Sequence, residues 1–241
     1  TFVVFTLLYI TPGNPAEIIL GTDATPESIA QLETELGLDQ PFLIRYFEYL
    51  KGIVLHFDLG TSYTTRLSVS SELLSRLPNT VILAALGIGF SAILGIITGI
   101  IAAVRQYTAL DTVATVAALA GVSMPTFWLG LMLMILFSLK LQWFPPSGFD
   151  TPAQWVMPVL TIGLCNAATI MRQTRSAMLE VIRQDYIVTA RAKGQTEFKI
   201  VVKHALKNAM IPVLTVIGLS FGALLGGAIM VESVFSIPGL G

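Results

Sequence analysis

Charge is scarce in these 241 residues, and the side chains best able to do chemistry crowd into one stretch. Between Arg172 and Lys207 lie Arg172, Arg175, Arg183, Arg191, Lys193, Lys199, Lys203 and Lys207, against only Glu180, Asp185 and Glu197. Cations set along a segment recognise anions; alone they break no bond. The spacing predicts a helix from about Glu180 through Arg191-Ala192-Lys193 that stops at Gly194, a good left-handed C-terminal cap. Thr196 then caps a second helix, with Phe198, Val201, Val202 and Ala205 on an apolar stripe and Lys199, Lys203 and Lys207 on another face. Two readings follow. A basic amphipathic helix can rest on anionic lipid headgroups, or two short helices can push an apolar knob and a basic rim into another protein's groove.

Other candidates for chemistry are thin. His56 beside Asp58 has no partners at metal-ligand spacing and reads as structural. Cys165 is the only cysteine, so it makes no internal disulfide and reads as a small apolar filler. The chain has no Gly-x-x-x-x-Gly-Lys-Ser/Thr phosphate cradle and no visible nucleophile–base set. No catalytic residue, metal site or cofactor of its own is expected, and the reading is a non-enzymatic protein.

The elements that must carry the basic stretch are apolar. Hydrophobic residues make up 54% of the chain and charged residues 12%, about half the charged share of a soluble domain. No Asp, Glu, Lys, Arg or His occurs in 80–104, 112–139, 151–171 or 209–231. Each run reaches the roughly 20 residues that a helix needs to cross a hydrocarbon core. The expected fold class is all-α, a polytopic transmembrane helix bundle with spans at 80–104, 112–139, 152–178 and 209–231. Residues 1–10 read as the end of a first span, and a final one is expected beyond Gly241.

Orientation follows from the cations. Their concentration in 180–208 places that loop in the cytoplasm, so 105–111 is also inside, while 140–150 and 11–79 are outside. The outer segment is acid-rich, with Glu17, Asp23, Glu27, Glu33, Glu35, Asp39, Glu48, Asp58 and Glu72 against Arg45, Lys51, Arg66 and Arg76. Within it, Thr25 and Pro26 start one short helix, and a second begins at Pro41. Phe42, Tyr46, Tyr49, Ile53 and Phe57 recur on one face of that second helix and suit packing onto the membrane helices or, alternatively, a ligand surface. Leu59-Gly60-Thr61-Ser62 reads as a turn.

Gly87, Ser91, Gly95, Gly99 and Ala103 repeat every four residues, as do Gly218, Gly222 and Gly226. Small residues on one stripe let helix backbones approach closely in lipid. Each stripe serves packing inside the subunit or, alternatively, a subunit interface or gate. Pro125 removes a backbone hydrogen bond and should kink its helix. No run holds a carboxylate or a basic residue near its middle, which argues against proton-coupled pumps and many ion-coupled carriers. Backbone carbonyls at broken helices can still bind sodium, so an ion-coupled transporter stays an alternative, as does a channel, although no charged ring suggests a filter. An intramembrane hydrolase has no histidine or carboxylate to use at that depth.

The loop Asp185-Tyr186-Ile187-Val188-Thr189-Ala190-Arg191-Ala192-Lys193-Gly194, followed by Lys203-His204-Ala205-Leu206-Lys207-Asn208-Ala209 and Pro212, resembles the cytoplasmic loop of ABC importer permeases. Closest is the subgroup carrying di- and oligopeptides, nickel and glutathione. The general superfamily pattern has Glu-Ala-Ala six residues before the glycine; here those positions read Val188-Thr189-Ala190, and the proline lies further on, as in that subgroup. Further similar pieces are Thr11-Pro12-Gly13-Asn14-Pro15-Ala16, Leu36-Gly37-Leu38-Asp39-Gln40-Pro41, Asp58-Leu59-Gly60-Thr61-Ser62, Ser123-Met124-Pro125-Thr126-Phe127-Trp128-Leu129-Gly130 and Glu232-Ser233-Val234-Phe235-Ser236-Ile237-Pro238-Gly239-Leu240-Gly241.

The resemblance favours docking for the loop, with Asp185, Tyr186, Thr189, Ala190, Arg191, Ala192, Lys193, Gly194, Phe198 and His204 as its coupling residues. It implies a second homologous permease, two cytoplasmic ATPases that bind the ATP and magnesium, an extracytoplasmic substrate-binding protein, and a prokaryotic plasma membrane. No nucleic-acid partner is implied. Peptides are the first expected cargo, with nickel or a metal chelate and glutathione as alternatives. Gly95, Gly99, Pro125, Gly218, Gly222 and Gly226 are the expected packing and gating positions.

Overall fold

The computed structural model describes residues 1–11, 13–21, 24–62, 65–226 and 228–241. Pro12 of the Thr11–Ala16 motif and Asp23 of the outer acidic set lie outside the described residues. The chain divides into two compact units, Thr1–Ser75 and Arg76–Gly241.

The first unit holds helices α1 (Phe2–Ile10), α2 (Pro15–Leu20), α3 (Pro26–Glu35) and α4 (Phe42–His56). Asn14 caps α2 by accepting from the Ala16 amide at 3.0 Å. Thr25 caps α3, accepting from the Ser28 amide at 3.3 Å, with Pro26 next in line. Aromatic rings join α1 to α4: Phe2 meets Tyr46 at 5.2 Å, Phe5 meets Tyr49 at 5.6 Å, and Tyr9 meets Phe42 at 5.0 Å between centroids. Phe57 leaves this stripe. It takes a left-handed conformation (φ 52°) that ends α4, and its side chain is 83% exposed. Beyond it Asp58 Oδ1 accepts from the Gly60 amide at 2.8 Å, which closes the turn around Gly60.

Helix α5 (Val69–Val104) begins eleven residues before the uncharged run that starts at Thr80, and carries Pro78 within it. After it come α6 (Ala109–Ser123), α7 (Thr126–Leu133) with a π-helical continuation at Met134–Lys140, and α8 (Pro152–Ile182). Next are α9 (Asp185–Ala192), α10 (Glu197–Lys199), a π-helical segment (Ile200–Ala205), α11 (Leu206–Leu225) and α12 (Ile229–Val234). Among the described residues three helical stretches are long and apolar enough to cross a membrane: Val69–Val104, Pro152–Ile182 and the continuous Glu197–Leu225.

The second apolar run departs from the expected kinked helix. It is broken, with α6 and the α7–π stretch meeting at 103°. The cause is local. A proline drives the residue before it out of the helical region, and both Met124 (ψ 129°) and Pro125 (ψ 132°) are extended. The last run also ends early, at Leu225 and not at Val231, because Gly226 and Gly227 follow in the sequence and glycine loses most backbone freedom in a helix. Residues 229–231 belong to α12 instead. The helix expected to begin near Glu180 is two pieces: α8 runs on to Ile182, and α9 starts at Asp185.

Helix α5 packs on α8 through its small residues. A Cβ at Gly95 would lie 2.8 Å from the Ala167 carbonyl, one at Gly99 2.6 Å from Thr174 Cβ, and one at Gly87 2.6 Å from Ile162 Cγ2. Ser91, fully buried, donates to the Gly163 carbonyl at 3.0 Å across the same contact. Nearby, Asp111 at the start of α6 takes a bidentate pair from Arg175 of α8, at 2.6 and 2.8 Å. The Asp111 side chain is only 7% exposed, so the ion pair fastens α6 to α8.

Gly99→Leu should overpack the α5–α8 contact and cost about 1–3 kcal/mol, read as a lower midpoint of thermal unfolding in detergent. Gly218→Leu, where a Cβ meets nothing within 4 Å, should leave that midpoint unchanged. Arg175→Ala strands the Asp111 carboxylate and should cost about 3 kcal/mol, whereas the double variant Asp111→Asn/Arg175→Met should recover most of the loss.

Candidate functional site

The basic stretch forms a helical hairpin whose inner surface is part of the bundle. Ile187 and Ala190 of α9, Ile200, Val201 and Ala205 of the π segment, and Ala209 and Val213 of α11 are buried together with Ala103, Ile170, Ala177 and Met178. The expected stripe is therefore divided. Val201 and Ala205 point into this core with Ile200, while Val202 stays half exposed and Phe198 is 78% exposed.

Gly194 closes α9. Its φ is +74°, its amide donates to the Arg191 carbonyl at 2.9 Å, and the Gln195 amide donates to the Ala190 carbonyl at 3.3 Å. This pair of bonds is the Schellman arrangement, which needs a residue comfortable in the left-handed region. Thr196 stands at the N-cap of α10, as its place in the sequence suggests, but its side chain makes no capping hydrogen bond. The turn is instead closed by a fork. Arg191 Nε and Nη2 donate to the two Glu197 oxygens at 2.7 and 3.2 Å, and Arg191 holds the Glu197 carboxyl below the usual carboxylate range. Both side chains are exposed, so the fork fixes geometry more than it adds stability.

The remaining residues expected to couple share this hairpin. His204 bonds Gln195 at 2.7 Å, and the Asn208 amide donates to the Tyr186 hydroxyl at 2.7 Å, tying the end of the hairpin to α9. Thr189 donates back to the Asp185 carbonyl at 3.0 Å. Asp185, Tyr186, Thr189, Arg191, Ala192, Lys193 and Gly194 are all exposed, while Ala190 is buried. Beside Phe198, an apolar depression of about 350 Å³ runs between Ile101, Val104, Leu110 and Val202, with Arg105 and Glu197 at its walls. The surface is an apolar knob on a hydrogen-bonded turn, surrounded by cations. It presents apolar and cationic groups side by side at the surface.

The packing positions separate into two kinds. Gly95 and Gly99 lie inside the α5–α8 contact, whereas a Cβ on Gly218 or Gly222 would meet nothing and one on Gly226 only its own Ala223 carbonyl. The α11 stripe thus faces no other element among the described residues. Pro125 sits at the extended joint of the broken span.

Sequence reasoning passed over Glu232. Its side chain, 2% exposed, accepts from the Thr80 hydroxyl at 2.7 Å and from the Gly241 amide at 2.6 Å. Thr80 in turn accepts from the Leu240 amide at 2.9 Å, and Asn79 donates to the Pro238 carbonyl at 2.9 Å. Gly239 lies so close to the carboxylate that any Cβ there would collide with it. The signal was present: Glu232 is the only ionisable side chain after Lys207, and two glycines follow it within nine residues.

Comparison with known proteins agrees along the whole length. Residues 95–241 match the family described as "Binding-protein-dependent transport system inner membrane component", and residues 1–84 match "Binding-prot-dependent transport system membrane comp, N-term". The chain is 41% identical over 269 residues to a dipeptide transport system permease protein of Alkalihalophilus pseudofirmus, covering 100% of this chain and 80% of that protein. It is 43% identical over 238 residues to a glutathione transport system permease protein of Salmonella choleraesuis, covering 99% and 78%. Among solved structures, the crystal structure of an amino acid ABC transporter with histidines superposes with a TM-score of 0.54 at 17% identity, over 71% of this chain and 75% of that one, and so shares the fold. A multi-pass helical chain that matches both the N-terminal and the main region of one family belongs to it: this is a membrane permease of the binding-protein-dependent transport system inner membrane component family, the transmembrane part of an ABC importer.

Proposed function

We propose that this permease forms half of a translocation pathway for di- or oligopeptides and that its α9–Gly194–α10 hairpin is the point at which a cytoplasmic ATPase drives it. The observation that carries this reading is the hairpin itself. Its inner face is locked into the core through Ile187, Ala190, Ile200 and Val201, while Phe198 and the cations project outward. A surface rigid on one side and sticky on the other transmits a push and does not absorb it.

In this reading the chain hydrolyses no ATP and binds no cofactor; ATP and magnesium belong to two partner ATPases. A second, homologous permease covers the α11 face that carries Gly218 and Gly222, where a Cβ would meet nothing among the described residues. An external binding protein delivers cargo to the side bearing residues 11–79, with the 180–208 loop inside the cell. Closure of the ATPases around their nucleotide moves the hairpin, and the helices joined to it rock between inward- and outward-facing forms. The relative named for dipeptide transport supports peptide cargo, and the one named for glutathione supports a second reading, glutathione, itself a short peptide.

Gly194→Val forces a β-branched residue into the left-handed region and should lower peptide uptake at least tenfold while membrane insertion, read by fractionation, is unchanged. Phe198→Ala should weaken co-purification with the P-loop ATPase by a similar factor without altering folding, since the ring is exposed. A cysteine placed at Lys199 should escape an impermeant thiol reagent in intact cells and react after permeabilisation; labelling of intact cells would reverse the topology and end the importer reading.

A further inference from the structure

The first unit contains a cavity of about 500 Å³, within the roughly 300–1,000 Å³ of small-molecule sites, that the docking surface does not use. One wall is apolar and aromatic, built by Phe5, Leu8 and Tyr9 of α1. Two charges of opposite sign also line it, Glu33 from α3 and Arg45 from α4. Glu33 accepts from the Asn14 amide at 2.6 Å, and the Arg45 guanidinium lies over the Tyr9 ring at 5.8 Å from its centroid. Both side chains are half-buried, yet they form no ion pair with each other, no nitrogen–oxygen distance between them falling within 4.0 Å. Neither pairs with any other charge among the described residues.

Two opposite, partly desolvated charges held apart on one apolar-walled cavity are unusual, because each is more stable with a counter-charge. A ligand that carries both charges at its two ends satisfies them together. We propose that this cavity is a binding site for a short zwitterionic peptide, its ammonium on Glu33 and its carboxylate on Arg45, with an apolar side chain against Phe5, Leu8 and Tyr9. The inference rests on the peptide reading above and adds a place where the permease itself reads both peptide ends. Tyr9 keeps the guanidinium oriented through its ring face, and Asn14 fixes the Glu33 carboxylate.

The probe is the dipeptide Ala-Leu, its N-acetylated form and its C-terminal amide, applied by equilibrium dialysis to the permease–ATPase complex in nanodiscs without the binding protein. The wild type should hold Ala-Leu at least tenfold more tightly than either blocked form. Glu33→Gln should erase the penalty for acetylation alone, Arg45→Gln the penalty for amidation alone, and Arg45→Lys should restore the latter. Uptake of Ala-Leu by the complete transporter is measured in parallel. Uptake intact while binding is undetectable, or indifferent to blocked ends and to both variants, overturns the site and leaves the peptide reading standing. Uptake absent in the wild type overturns the peptide reading and the site with it. Variants that change only the phosphatidylethanolamine retained by the complex, with peptide binding untouched, overturn the site in favour of a lipid headgroup.

Discussion

Two membrane helices of this chain touch backbone to backbone, and the seating of the basic hairpin depends on that contact. In hydrocarbon there is no aqueous driving force to press helices together, so dispersion and short hydrogen bonds must do it. Gly87, Gly95 and Gly99 remove the atoms that would hold α5 away from α8, and Ser91 reaches the Gly163 carbonyl across the gap. With α8 fixed, Ile170, Ala177 and Met178 present a floor on which Ile187, Ala190 and Ile200 settle. The basic hairpin is therefore an extension of the glycine seam, and its exposed knob is only as stiff as the packing beneath it.

Polar chemistry in the second unit obeys the same constraint. The buried carboxylates are Asp111 and Glu232, and each has its partners. Asp111 has a full cation, Arg175, with geometry that a lysine could not reproduce. Glu232 has neutral donors only, from Thr80 and the Gly241 amide, and those donors come from segments far apart in sequence. One carboxylate clamps α6 to α8; the other gathers the start of the α5 apolar run and the residues after α12. Both join elements through short hydrogen bonds, which are strong where water is scarce.

Much of this was legible in the residues. The uncharged runs mark the spans because lipid tolerates few alternatives, and Gly194 marks the end of α9 because only a residue at ease with positive φ suits that cap. The four-residue repeat from Gly87 to Ala103 announces a close contact, though not its partner, since a stripe says nothing about what lies opposite. What escaped notice has physical reasons. The 103° break at Met124–Pro125 exceeds a kink because two consecutive residues, not one, leave the helical region. The Asp111–Arg175 pair spans 64 positions, and each residue alone reads as an ordinary loop charge. Phe57 completes an aromatic spacing yet ends up in solvent, because the helix carrying it stops one residue too soon.

The helical stretch Glu197–Leu225 is continuous from the turn after Gly194 to the far end of the last span, 29 residues. At 1.5 Å per residue that is about 44 Å, one helical stretch that carries Pro212 inside α11. The π segment at Ile200–Ala205 sets its phase: an added residue in a turn rotates all that follows by about 100°. The side of α11 bearing Gly218 and Gly222 is thus indexed to the buried side of Ile200 and Ala205 by one local deviation in winding. A twist applied at the Glu197 end is shared with α8, against which Ala205, Ala209 and Val213 pack, before it reaches the Gly218–Gly222 side.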